Sequence, residues 1–282
     1  MPKKIIAASF FGLLALCADG SIGSVQAQDA GKYPDFSGQW IRVETGPPRY
    51  DYSRPPGPGQ QDFLTDEYRA IHDASMADQA AGGQGLDLGT RCIPMGMPRQ
   101  MSGFYPFEFS FAPGVIHVLF EYSSYTTRRI YVDGRDWPAE VEPTFAGYSI
   151  GRWVDENNSG RYDLLEVETR NLRGPRILDA SGTPSHADNQ SVVKERIYLD
   201  KSNPDLLHDE MTMFDHAFTR PWPVMKTFRR KRDGVWTDND CADNGHVAIG
   251  DQNYFVGGDG LLMPTKMHQP PPDLRYFKQT RK

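Results

Sequence analysis

Long hydrophobic runs are almost absent from this chain. Beyond the stretch from Ile5 to Leu16, nothing approaches the roughly 18 apolar residues that a spanning helix requires, so a soluble mature protein is expected. Cysteine is scarce: of three in 282 residues, Cys17 lies close behind that apolar stretch, leaving Cys92 and Cys241. No CxxC or HxxxH spacing occurs, so no metal site is expected. An excess of one charge sign is missing too, because the net charge of -6 is mild and acids alternate with bases, which argues against a nucleic-acid partner. Glycine-rich nucleotide loops, a G-x-S-x-G elbow and zinc-protease motifs are all lacking, and no recognised cofactor fingerprint remains. Helical periodicity does not alternate with the strand-like segments, which disfavours a parallel βαβ sheet.

What is present begins with a leader. Lys3-Lys4 precede the apolar run, and Val25-Gln26-Ala27 supplies small residues for cleavage, so residues 1–27 read as a signal peptide cut after Ala27 and the product as exported, to a periplasm. Leu16 before Cys17 is a poor fit to a lipoprotein site. In an oxidising compartment Cys92 and Cys241 form a disulfide in the simplest reading, with two separate buried thiols as the alternative. Such a bridge would contribute on the order of 4 kcal/mol by restricting the unfolded chain. The remaining length, about 250 residues, fits one domain. Within it we distinguish an N-terminal strand, loop and helix (28–103), a β-meander (104–234) and a tail (235–282) that wraps the barrel.

Gly38-Gln39-Trp40 opens the first strand, and the Pro- and Gly-rich residues 45–61 read as a loop. Thr65 is a suitable N-cap for a helix carrying Tyr68, Ile71, His72 and Met76 on one side and ended by Gly82-Gly83. Strands are then expected over 105–111, 115–122, 125–133, 148–154, 162–170, 192–199, 206–214 and 224–232. The fold class is therefore all-β, an antiparallel up-and-down barrel of about eight to nine strands with one short helix and long loops, wide enough for one small ligand. The basic run Arg229-Arg230-Lys231-Arg232 reads as an exposed strand end.

Several strands carry charge on faces that should be apolar, and an unpaired buried charge costs several kcal/mol, roughly, so a barrel that turns such groups inward has something to hold. Glu195 shares a face with Val193, Ile197 and Leu199. In one register it meets Glu210, with Ile197 opposite His208, and paired carboxylates can divide acid and base roles. A slip of one residue brings Leu207, Met211 and Met213 inward instead. His117 shares a face with Glu121 and falls opposite Glu108 if Phe111 pairs with Gly114. Arg128 and Arg129 point to opposite faces, so at most one enters the lumen, with Tyr131, Ser149 and Arg152 as further contacts. The polar loop 182–190 offers His186 and Asp188 as acid–base groups at a barrel mouth, and Trp222, fixed between prolines, suits stacking on a flat ligand.

The segments 92–101, 128–135, 149–153 and 218–222 resemble a largely uncharacterised family of exported bacterial lipocalin-like, calycin-type barrels, and the Gly-x-Trp opening is similar to the way lipocalin-like barrels often begin. The resemblance implies export and an all-β barrel and carries no catalytic residues. The expected function is an exported barrel enzyme doing cofactor-independent acid–base chemistry, of lyase, hydratase or hydrolase type, on a small apolar or aromatic molecule. His186, Asp188, Glu195 and His117 are its expected catalytic groups, with Glu121, Arg128, Arg129, Tyr131, Ser149, Arg152, Glu210 and Trp222 around the substrate. The alternatives are a non-catalytic carrier or sensor of a small apolar ligand, and a structural envelope protein.

Overall fold

The computed structural model describes residues 31–43, 63–102, 105–122, 127–179, 181–186, 190–237 and 241, together with strands at 246–249, 252–256 and 262–264. The expected leader 1–27, the expected loop 45–61 and Asp188 lie outside the described residues. Alternation of apolar and polar side chains produces nine strands: β1 (Gln39–Arg42), β2 (Phe107–Ala112), β3 (Val115–Phe120), β4 (Arg128–Tyr131), β5 (Tyr148–Val154), β6 (Leu164–Arg170), β7 (Val192–Leu199), β8 (Leu206–Phe214) and β9 (Trp222–Lys231). Each pairs with the next, and β9 returns to β1, closing the barrel.

One junction departs from the expected antiparallel meander. β4 and β5 run parallel, with Ile130 opposite Ser149 and Tyr131 opposite Ile150. Parallel neighbours need a crossover of a dozen or more residues, and the Pro-containing connection 132–147 supplies it.

Trp40 is fully buried at one barrel end, where its indole N–H donates to the Phe36 carbonyl at 3.0 Å. Arg230 lies over the Trp40 ring at 4.6 Å and donates to the carbonyls of Ser37, Asp35 and Pro204 at 2.6, 2.7 and 2.9 Å. The expectation of an exposed basic run fails at this residue, because alternation along β9 turns Arg230 inward while Arg229 and Lys231 stay exposed. Gly38 makes room: its φ is +89°, and a Cβ there would stand 3.3 Å from Arg230 Cγ.

The opposite end is covered by Phe63, Phe218 and Trp222, packed ring against ring, and by helix α1 (Asp66–Ala80) with the loop 176–186. Thr65 is the N-cap but makes no side-chain cap bond. Tyr68 and His72 pack as expected, yet Ile71 and Met76 are 39% and 45% exposed and Ser75 is buried instead. The surface beneath the helix is polar: Ser75 Oγ donates to the Ser181 carbonyl, and His72 Nε2 lies 3.0 Å from Ser181 Oγ.

Cys92 and Cys241 form a disulfide, with Cα atoms 5.5 Å apart. Beyond it, β10 (His246–Ile249), β11 (Gln252–Val256) and β12 (Leu262–Pro264) make an antiparallel sheet. The apolar run 254–256 lies in its central strand. Among the described residues no helix is long and apolar enough to cross a membrane.

Candidate functional site

The β7–β8 register decides which charges face the lumen. Glu195 pairs with Met211 and Ile197 with Asp209, while Arg196 pairs with Glu210. The Glu195–Glu210 pair therefore does not form, and His208 lies opposite Tyr198. The apolar register wins because it buries Leu207, Met211 and Met213 along one face of β8, and that same face carries Asp209.

Two charged groups in the lumen satisfy each other. Arg128 and Glu195 are fully buried side chains joined as a fork: Nη1 donates to Oε1 at 2.8 Å and Nη2 to Oε2. Nε donates to Ser149 Oγ at 3.3 Å, Nη2 also to Thr169 Oγ1 at 3.0 Å, and the two hydroxyls lie 2.7 Å apart. A charge pair out of water persists only with such complete hydrogen bonding. Of the contacts expected from sequence, Arg128, Ser149 and Glu195 are thus brought together around one guanidinium.

Asp209 is different. It is 0% exposed, and among the described residues no donor reaches either of its carboxyl oxygens. Across the inner wall its row runs Trp153, Leu165, Ile197, Asp209, Lys226, so fully buried Ile197 flanks it on one side and half-buried Lys226 on the other. Burial pushes its carboxyl well above the ordinary carboxylate range, and the neighbouring Glu195 charge pushes the same way. Arg128 and Lys226 pull against that shift without cancelling it. An unpaired carboxyl in such surroundings favours its protonated form, which carries one O–H donor. Sequence reasoning missed Asp209; its signal was a lone carboxylate at the alternate positions shared with Leu207, Met211 and Met213.

The other expected residues disperse. His117 is on the outer face, paired with Ser110 and Arg129, while Glu108 pairs with Leu119, so no His117–Glu108 contact forms. The tight Ala112–Val115 turn sets that register, two residues away from the expected one. Arg129 is exposed. Tyr131 stacks on Tyr148 outside the barrel at 4.9 Å beneath Arg135. Arg152 is exposed and paired with Glu166, and Glu210 accepts from the Tyr198 hydroxyl at 2.7 Å. These last groups belong to an outer-face groove of about 550 Å³, lined by Trp137, Lys194 and Arg196 among others, whose charges are paired across the strands.

Glu121 is buried beyond β3 and accepts from the Thr237 hydroxyl. Trp222 is inside the covered end, in the ring cluster with Phe63 and Phe218. The His186 ring packs against Tyr68 and His216 at 5.8 and 5.5 Å, and its peptide N–H donates to Asp215 at 2.8 Å. Buried Arg176 holds this loop by donating to the carbonyls of Leu172 and His186. Among the described residues no three His, Cys, Asp or Glu side chains converge to hold a metal ion.

Comparison with family models, with curated proteins and with solved structures finds no match, so the lumenal site is read from its own geometry.

Proposed function

We propose that this protein is an exported barrel enzyme that takes a small, largely apolar or aromatic molecule into its lumen and performs cofactor-independent acid–base chemistry on it, with Asp209 as the acid. The observation that carries the reading is a fully buried carboxyl group with no hydrogen-bond partner among the described residues. Leaving such a group unpaired costs about 1–3 kcal/mol, a cost that a bound ligand oxygen would offset. In its protonated form, which burial favours, Asp209 can pass its proton to that oxygen. The carboxylate then formed can take a proton from the ligand carbon next to the protonated group, or from a water whose oxygen bonds to the activated ligand carbon as it loses that proton, and either restores the acid. Arg128, fixed by Glu195, Ser149 and Thr169, supplies a stationary positive charge near the oxygen as it gains electron density. The closed barrel and the Trp40–Arg230 end support the lipocalin-like resemblance, and the disulfide supports export.

One observation favours a second reading, a carrier without chemistry: both Glu195 oxygens are occupied by Arg128, so no second lumenal carboxylate stands ready as a base. The test incubates purified protein with small aromatic esters, enones and alcohols and follows products by mass spectrometry, comparing wild type with Asp209→Asn. Turnover that falls by two orders of magnitude or more in the variant, with ligand still bound, supports the enzyme. Binding without turnover in the wild type leaves the carrier, and unchanged turnover in the variant removes Asp209 from the chemistry.

A further inference from the structure

The connection that crosses from β4 to β5 does more than join them. It places Trp137 beside the outer faces of β5 to β8, and together they form the open groove of about 550 Å³, a volume within the ~300–1,000 Å³ range of small-molecule sites. We propose that this groove binds a neutral carbohydrate, laid across the strands with a sugar ring against Trp137. The site is separate from the lumen and does not rest on the reading above.

Charge narrows the ligand first. Pairing across the floor puts Arg152, Glu166, Arg196 and Glu210 in one row and Ile150, Glu168, Lys194 and Thr212 in the next. The bases and acids of these rows balance, and the neighbours that complete the ladder, Arg170 on Glu168 and Glu156 on Arg196, add one of each sign. Glu195 also reaches the lining, but its carboxylate is buried on Arg128. The groove is thus neutral in sum, and an ionic ligand would meet as many like charges as opposite ones.

The hydrogen-bonding capacity left over is of both kinds. Lys194 Nζ reaches only Glu168, at 3.5 Å, while Arg152 Nη1, the Thr212 hydroxyl and the Trp137 indole N–H meet no acceptor among the described residues. The glutamates keep lone pairs beyond those their partners use. An uncharged molecule that both donates and accepts at short intervals is a polyol. Neighbouring strands stand about 4.8 Å apart, so the row from Arg152 to Glu210 alternates base and acid at close to the length of one pyranose unit.

Trp137 supplies the apolar surface. Arg170 lies against its ring at 4.2 Å and Tyr148 meets it at an angle of 55°, which fixes the indole while its remaining surface lines the groove. Sugars present C–H faces as well as hydroxyls, and an aromatic ring beside polar groups takes both. An extended peptide also donates and accepts, but its usual hold on a sheet is strand addition at an edge, and β5 to β8 are each paired on both sides.

The experiment titrates the purified protein calorimetrically with cellohexaose, laminarihexaose and maltohexaose. Hexagalacturonate and chitosan hexamer serve as acidic and basic counterparts, and a neutral Gly-Ser peptide as the uncharged control. At least one glucan should bind more tightly than both charged oligomers and the peptide, with an affinity that changes less than about twofold between roughly 0.05 and 0.5 M salt. Trp137→Ala should weaken it about tenfold, and Trp137→Tyr, which keeps a ring, should retain most of it. Lys194→Ala, at a side chain 58% exposed and so without effect on the core, should weaken it about threefold. Failure of all three glucans to bind, tighter binding of a charged oligomer or of the peptide, an affinity that collapses in salt, or one unmoved by either alanine substitution overturns the assignment.

Discussion

Asp209 sets a signed expectation for stability against pH. Its folded-state carboxyl titrates well above 3.8, the ordinary aspartate value, so above that pH the folded chain keeps a proton that the unfolded chain has lost. The stability tied to this group is present at acid pH and is lost as pH rises from about 4 towards the raised value, with a limiting slope of about 1.4 kcal/mol per pH unit. Asp209→Asn keeps the shape and removes the titration. Its melting temperature should match the wild type near pH 3–4 and exceed it at pH 7, and a gap that does not widen with pH would contradict the assignment. The fork beside it behaves oppositely. Arg128→Met leaves Glu195 buried and unpaired and should cost about 3–5 kcal/mol in urea unfolding, whereas the double change Arg128→Met with Glu195→Leu should recover most of that loss.

At the scale of elements, strand existence was legible and strand register was not. The segments 148–154, 192–199 and 206–214 fall where alternation and flanking turn residues put them. Register was decided by which β8 face is more apolar once Asp209 is included, a comparison between adding one buried carboxyl and burying three large side chains. Glu210 reads as a site residue for lack of that information and His117 for lack of the Ala112–Val115 turn register, and both belong to outer faces. The helix was legible in extent but not in orientation, because its buried side meets serine and threonine hydroxyls instead of aliphatic groups. Arg230 illustrates an element held by one side chain. Its planar fork serves three carbonyls above an indole, and Lys cannot reproduce that geometry. Arg230→Lys should cost about 2–3 kcal/mol in chemical denaturation and raise the quantum yield change of Trp40 on mild heating.

For the molecule as a whole, an all-β barrel with one helix and a Cys92–Cys241 bridge could be read from composition and spacing. The parallel junction could not, since a crossover and a hairpin loop of similar length carry the same turn residues. Nor could the lumenal cluster be assembled in advance, as it joins residues from β4 through β8 that meet only when the barrel closes.

That junction gives Arg128 a mechanical meaning. β4 and β5 share only two paired positions, Ile130 with Ser149 and Tyr131 with Ile150, so backbone bonding there is thin. Arg128 stands on β4, and its partners Ser149, Thr169 and Glu195 stand on β5, β6 and β7. The guanidinium is thus a clasp across a zipper, at one of the two barrel junctions that have only two paired positions, the other being β1 with β2. In Arg128→Met, amide hydrogen exchange should quicken in β4 and β5 well before it does in β7 and β8, and uniform quickening across all four strands would show that the seam opens no earlier than the rest.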